Sequence, residues 1–537
     1  MTFRERIILI SNKKNKTIVS ASIVLGIAFA VSALLGFFRT RILYDFFFAS
    51  HTLELDAFNA AFRLPDLIFK LLVAGALSAS FIPVYSNYKH KDKKTADQIA
   101  STVINLLFIV FTVTAILVFI FARPLSALIA KGFDPYQIDV MVRLTRILLI
   151  SQIFFLLSSF VTSILHVNQI FIIPSLSPIL YNITIILSIY LLAPIFGITG
   201  VAWGCVIGAL IHFCIQLPTL KNQGFNYQLL INRSLSGVRE IIRLMIPRTL
   251  SVGLAEIENT VTLFFTSILP TGSLSLLNLA LQLMYLPSRI FSTTVGQASL
   301  PILSKKIAQN KKITFRKIVV RTIFQSIFIA LPIAVMILVL RLTLVRIVFG
   351  TKNFPWEATK LTANTLGFLT PAIFCQAIIQ IIIRAFYALH NTKTPLKVSL
   401  IALVVNIFTS FIFIKFTNFG IMGLAISSSL SNIIQCSGLI ITFALIVKGF
   451  DWPLIYLKIT KIFFASLLMG FITWLSLNFF DKFIFNTTRV IDVLLVFSFS
   501  ALVGIISYFC LSLLFKIDEA KSYIRQLYKI THFISSK

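Results

Sequence analysis

The stretch ELDAFNAAFRLPDLIFKLLVAGALSASFIPVY, residues 54–85, sets Asp56, Asn59, Arg63, Asp66 and Lys70 into an otherwise apolar run. Separations of 3, 4, 3 and 4 residues place all five on one side of an α-helix. A charge at the centre of a bilayer costs about 2.5–3.5 kcal/mol on insertion scales, so such a stripe must face protein or a water-filled cavity. The chemistry open to it is binding, with basic groups for an anion and acidic groups to position them. The same residues also allow a structural arrangement. In it Asp56 and Lys70 snorkel to the interfaces while Arg63 pairs with Asp66 at i, i+3. Pro65, inside the run, removes a backbone hydrogen bond and predicts a bend.

Further cations lie within apolar surroundings. Arg39 and Arg41 occur in GFFRTRI, and Arg143, Arg146, Arg248, Arg289 and Arg384 fall in later apolar segments. Cations outnumber anions among these intramembrane charges, which points to an anionic cargo, although interface anchoring accounts for part of the set. Arginine suits phosphate, because its planar fork makes paired charge-assisted hydrogen bonds and stays protonated in any environment. The segment GLAEIENTV adds Glu256, Glu258 and Asn259, of which Glu256 and Asn259 share a helix face. A carboxylate there either takes Na⁺ or a proton and couples transport to a gradient, or balances a nearby arginine. Both readings stay open.

These residues need a membrane scaffold. Of the 537 residues 58% are hydrophobic and 12% charged, a profile outside that of soluble domains. Apolar runs recur without strand-like alternation, so the expected fold is an all-α polytopic membrane protein of about 14 transmembrane helices. The expected spans are near 18–40, 57–86, 98–122, 138–165, 170–193, 198–218, 238–268, 272–302, 316–342, 360–388, 396–416, 420–447, 459–479 and 489–515. The formal charge of +30 falls largely in short connections rather than on one amphipathic face, which argues against nucleic acid as a partner. Three basic connections, at Arg4–Lys16, Lys89–Lys94 and Lys305–Lys317, are separated by even numbers of spans and predict one cytoplasmic face holding both termini. Five cysteines without metal-ligand spacing read as buried small hydrophobes. No metal site is indicated.

The chain also repeats itself. FGITGVAWG at 196–204 matches FGIMGLAIS at 419–427, an offset of 223, and LPDLIF at 64–69 matches LPSRIF at 286–291, an offset of 222. Asn182 and Asn406, and His166 and His390, fall at nearly the same offset. The expected organisation is an N-terminal lobe over 1–220, a C-terminal lobe over 221–450, and two further helices with a tail over 451–537. Parallel repeats of this kind are a transporter architecture, with the substrate between the halves.

The motifs LLGFFRTRI, LDAFNAAFRLPDLIFKLLVAGALSASFIPVY, LTRILLI (144–150), SLPILSK, FGTKNF (349–354) and AFYALHNTKTPLK (385–397) stand in an order that resembles the MurJ (MviN) lipid II flippases. That family lies within the multidrug and oligosaccharide-lipid exporters. The resemblance implies a MATE-like arrangement of two lobes rocking around a central cationic cavity. It implies as substrate the undecaprenyl-diphosphate-linked peptidoglycan precursor, moved from the inner to the outer leaflet of the bacterial cytoplasmic membrane with no bond made or broken. The family's functional positions fall on Arg39 and Asp56, and basic residues are common at the positions of Arg63 and Lys70. Ala33, Gln282 and Ala74 stand where the family usually carries two arginines and an acidic residue, and Asn391 replaces an aspartate. Arg41, Arg146 and Arg289 are the candidates to restore cationic charge. The coupling agent is expected to be Na⁺, H⁺ or the membrane potential, and the cell-wall synthesis machinery is an expected partner. Alternative functions are flipping another polyprenyl-linked oligosaccharide and cation-coupled drug export. A membrane glycosyltransferase is disfavoured, because no connection is long enough for a catalytic domain.

Overall fold

The computed structural model describes residues 18–74, 80–288, 311–389, 391–486 and 489–521, with single positions at 303, 306, 307, 309 and 523. Every regular element among them is helical, as a chain in hydrocarbon must satisfy its backbone within each segment. Among the described residues 11 helices are long and apolar enough to cross a membrane, running from Leu25–Phe47 to Val490–Leu514. The remaining three expected spans differ from these. Helix Ser236–Ser267 has the length but carries Arg239, Glu240, Arg243, Glu256 and Glu258. The span expected at 272–302 is described only as helix Ser273–Ser288. The helix expected at 57–86 is not continuous.

Its interruption follows from Pro65. The chain forms helix Thr52–Ala61, breaks at Phe62, and resumes as helix Arg63–Phe69. Proline has no N–H to offer the carbonyl four residues earlier, which is that of Ala61. That carbonyl accepts the Thr145 hydroxyl instead, at 3.2 Å. A π-helical turn, Lys70–Ala74, follows directly. Such turns also displace backbone carbonyls, and that of Leu71 accepts the Thr249 hydroxyl at 3.1 Å. Two threonines from neighbouring helices thus complete a backbone that a straight helix would satisfy alone.

The chain divides into two compact units, Met1–Ser275 with Thr351–Phe354 and Leu276–Gly350 with Pro355–Lys537. Helix Ser236–Ser267 belongs to the first, and the chain passes from one unit to the other inside helix Ser273–Ser288. In the first unit Phe81, Tyr85, Phe111, Leu156 and Phe160 form the centre of an apolar core. In the second, Phe315, Phe328, Phe386, Phe443 and Met469 do so. The outward faces of the spanning helices are also apolar, with Val113 52%, Leu117 51%, Phe464 53% and Phe471 57% exposed. Lipid is the solvent that tolerates this.

The repeat is visible in the backbone. Gly197 and Gly420 both sit at the N-cap of a helix, Ile198–Cys214 and Ile421–Val447, with φ/ψ of 57/−145° and 53/−130°. Only glycine enters that region freely, so the two FGI sequences encode the same turn. Three residues on, a Cβ at Gly200 would meet the Leu192 carbonyl oxygen at 2.5 Å, and one at Gly423 the Phe413 Cβ at 2.8 Å.

Candidate functional site

The stripe meets its partners within the first unit, and its upper and lower parts differ. Asp56 is 2% exposed and faces the start of helix Ser273–Ser288. Its Oδ2 accepts the Gly272 N–H at 2.6 Å, and its Oδ1 accepts the Ser275 N–H at 2.9 Å and the Ser275 hydroxyl at 2.6 Å. A helix N-terminus presents unpaired N–H groups and partial positive charge, so a carboxylate arriving from another helix caps it. Asn59 extends the cluster, donating to the Ser275 hydroxyl at 3.0 Å and to Tyr44 at 3.1 Å. Tyr44 in turn donates to the Ser275 carbonyl at 3.0 Å. Asp56 therefore holds backbone amides rather than a basic side chain.

Further along the stripe, the charges pair. The Arg63 guanidinium donates to the Glu256 carboxylate and, at 3.2 Å, to the Glu256 carbonyl. The Lys70 ammonium stands 3.1 Å from the other oxygen of the same carboxylate. Glu256 is 5% exposed. The i, i+3 pairing of Arg63 with Asp66 does not form. Asp66 accepts the Gln152 amide at 2.9 Å, and lies within electrostatic range of Lys70, Arg63 and Glu256. Two bases and two carboxylates thus meet around the buried Glu256 carboxylate, and their charges balance. The break at Phe62 and the π turn aim Arg63 and Lys70 at one acceptor.

Arg39 lies well inside helix Ile18–Phe47, since that helix runs beyond the expected end at 40. Tyr181 lies near both Arg39 and Asp66. Arg146 turns elsewhere: its Nε donates to the Phe119 carbonyl at 3.1 Å and its guanidinium lies 4.9 Å from the Phe119 ring centroid. Arg41 is half-buried on helix Ile18–Phe47. Glu258 and Asn259 are half-buried on the helix that carries Glu256. Arg289, the side chain of Arg248 and that of Ala74 lie outside the described residues. Ala33 and Gln282 are half-buried.

Asn391 keeps the acceptor contact open to an aspartate and adds a donor. Its side-chain oxygen accepts the Thr394 N–H at 3.1 Å and its amide donates to the Thr394 hydroxyl at 2.9 Å, closing the start of helix Lys393–Phe416. Among the described residues no group of His, Cys, Asp and Glu is arranged to hold a metal ion. Tyr44, Gln152, Ser275 and Gly272 complete the site without having stood out in the sequence. Ser273 and Ser275 behind Pro270 and Gly272 give an ordinary helix-start signal. The distant carboxylate that completes the cap leaves no local trace.

The family model described as lipid II flippase MurJ matches residues 44–494. A probable lipid II flippase MurJ of Bdellovibrio bacteriovorus is 26% identical over 507 residues, covering 93% of this chain and 94% of that protein. The lipid II flippase MurJ of Burkholderia cenocepacia is 25% identical over 444 residues, covering 79% of this chain and 84% of that protein. Among solved structures, a lipid II flippase MurJ in an inward closed conformation aligns with a TM-score of 0.75 at 26% identity, over 93% of this chain and 99% of that one. An inward-facing MATE multidrug transporter aligns at 0.62 with 13% identity, a likeness of fold alone. With a family match over most of its length, this chain belongs to the MurJ family of lipid II flippases.

Proposed function

We propose that this protein moves lipid II, the polyprenyl-diphosphate-linked peptidoglycan precursor, from the inner to the outer leaflet of the bacterial cytoplasmic membrane. The observation that carries the reading is the convergence of Arg63 and Lys70 on the single buried carboxylate of Glu256. Glu256, with Asp66 nearby, keeps both bases paired and aligned while no anion is bound. An arriving diphosphate offers the same two bases a doubly charged acceptor, and they exchange one partner for the other. Arg39 supports the anion from the neighbouring helix. Asp56 serves the site indirectly, by fixing the start of helix Ser273–Ser288 against the stripe.

Exchange leaves Glu256 without its bases. A buried carboxylate stripped of its partners is costly, so uptake of a proton or Na⁺ by Glu256 would accompany substrate binding. An inside-negative potential of 100 mV drives two phosphate charges outward and so adds about 4–5 kcal/mol of bias. Both termini face the cytoplasm in this reading, as the three basic connections require.

Complementation tests it. In a bacterium depleted of its own flippase, the wild-type gene restores growth and cell shape, and Arg63→Ala or Lys70→Ala abolishes the rescue. Arg123→Ala retains it, since Arg123 pairs with Asp139 at an exposed position. Rescue by all three variants would refute the assigned roles.

A further inference from the structure

A second cluster of charge lies in the second unit, remote in sequence from the stripe. A cavity of about 520 Å³ is bounded by the first turns of helix Lys312–Phe349, by the entry to helix Trp452–Phe483 and by Asp518 and Glu519 after helix Val490–Leu514. Counting spans from the basic connections puts all three segments on the cytoplasmic side.

The polar groups in this cavity are unevenly used. Asp451 accepts the Leu454 N–H and caps its own helix. Lys458 pairs with Asp518 at 2.8 Å, and this bond, reinforced by Lys521 and Lys461, holds the Asp518 carboxyl below the usual carboxylate range. Arg316 donates to the Lys448 carbonyl at 2.7 Å and covers the Phe450 ring. Lys317 and Arg321, one turn apart on the same helix face, have no ion-pair partner among the described residues. Opposite in sign stands Glu519, 7% exposed, whose Oε2 is buried with no hydrogen-bond partner. A buried, unpaired carboxylate oxygen in a cavity otherwise rich in unneutralised cations calls for a ligand that carries both charges.

The surroundings say where that ligand comes from. Val320, Phe324, Leu454 and Ile455 give the cavity an apolar wall. Leu454, Leu457 and Tyr456 are 49%, 55% and 66% exposed, continuing that wall onto the lipid-facing side of helix Trp452–Phe483. Trp452 and Tyr456 have the aromatic character of residues at the headgroup level. Basic pockets between membrane helices on the cytoplasmic side are places where phospholipid headgroups bind.

From this we infer that the cavity holds the headgroup of an amine-bearing phospholipid of the inner leaflet, with its phosphodiester on Arg321 and Lys317 and its ammonium on the Glu519 carboxylate. The acyl chains lie along the exposed apolar face of helix Trp452–Phe483. The lipid braces the last two helices against helix Lys312–Phe349, and takes no part in the exchange at Glu256.

Native mass spectrometry of the purified full-length protein tests this. The probes are phosphatidylethanolamine, phosphatidylglycerol and phosphatidylcholine of matched acyl chains, with acyl-free glycerophosphoethanolamine as the soluble control. Phosphatidylethanolamine is expected to bind most tightly and the acyl-free probe to bind at least tenfold more weakly, on the order set by burying acyl chains. The double substitution Lys317→Ala with Arg321→Ala weakens both phosphatidylethanolamine and phosphatidylglycerol by on the order of tenfold. Glu519→Gln, which keeps the side-chain shape, weakens only phosphatidylethanolamine. Lys415→Ala, outside the cavity, changes nothing. Thermal unfolding of each variant without added lipid separates misfolding from lost binding. Tighter binding of phosphatidylglycerol, equal binding of the acyl-free probe, or phosphatidylethanolamine binding unaffected by either variant would overturn the proposal.

Discussion

The two units bury polarity in different ways. In the first, charge goes to the interior: Asp56 and Glu256 are 2% and 5% exposed, Arg63 follows them in, and Lys70 reaches Glu256 from a half-exposed position. In the second, apart from Glu519 at the cavity described above, the buried polar groups are hydroxyls and amides such as Thr365, Ser427, Ser431 and Asn406, and its ion pairs Lys360–Glu357 and Lys458–Asp518 lie at exposed positions. A buried hydroxyl finds an acceptor on a helix carbonyl, as Ser431 does at Ala402 at 2.8 Å. A buried charge has no such local remedy and needs a partner built for it. Retaining four charges at one locus is a cost that packing alone does not explain. The proposed exchange with a diphosphate supplies a reason for it.

Removing partners one at a time sharpens the contrast. Glu256→Ala should have the largest effect, about 3–5 kcal/mol of stability, because two bases lose their shared acceptor. Thermal unfolding in detergent reads it, and Glu357→Ala, whose side chain is 82% exposed, should move the same transition by no more than about 0.5 kcal/mol. Equal effects would erase the distinction between the units. Asp56→Ala should follow at about 2–3 kcal/mol, since two amides and a hydroxyl are left buried without an acceptor. Thr145→Val, which strips the Ala61 carbonyl of its donor, should cost about 1 kcal/mol.

The smallest effect belongs to Asp92, which caps helix Lys93–Ile120 in the first unit. Hydrogen bonds from Thr95 and the Lys94 amide lower its pKa below the ordinary carboxylate value. The folded protein therefore holds that proton less readily than the unfolded chain. The cap's contribution is complete above the ordinary carboxylate pKa and disappears as the pH falls through the depressed one. Unfolding followed against pH should show a slightly shallower acid slope in Asp92→Ala, and identical slopes would remove the cap from the account.

How far the sequence could be read depends on the reach of each interaction. The 3, 4, 3, 4 spacing put the stripe on one face, and Pro65 announced a break, because both are encoded within a few residues. The paired glycines at 197 and 420 were legible for the same reason, as each FGI turn needs a residue free to take positive φ. The partners were not. Glu256 lies 193 residues from Arg63 and Ser275 lies 219 from Asp56, so spacing rules cannot join them. The nearer pairing of Arg63 with Asp66 looked sufficient along one helix. It lost to a carboxylate that could serve Arg63 and Lys70 together. Arg146 stood as one of three candidates for added cationic charge, and the contacts it makes with the Phe119 carbonyl and ring are likewise outside the reach of spacing rules.

The central claim is that Glu256 competes with the substrate diphosphate for Arg63 and Lys70. Equilibrium binding of lipid II to purified wild-type and Glu256→Gln protein tests this most directly. Glutamine keeps the shape and removes the competing charge, so the variant should bind lipid II more tightly, on the order of tenfold, even as its stability and its ability to complement fall. Equal or weaker binding by Glu256→Gln would contradict the account.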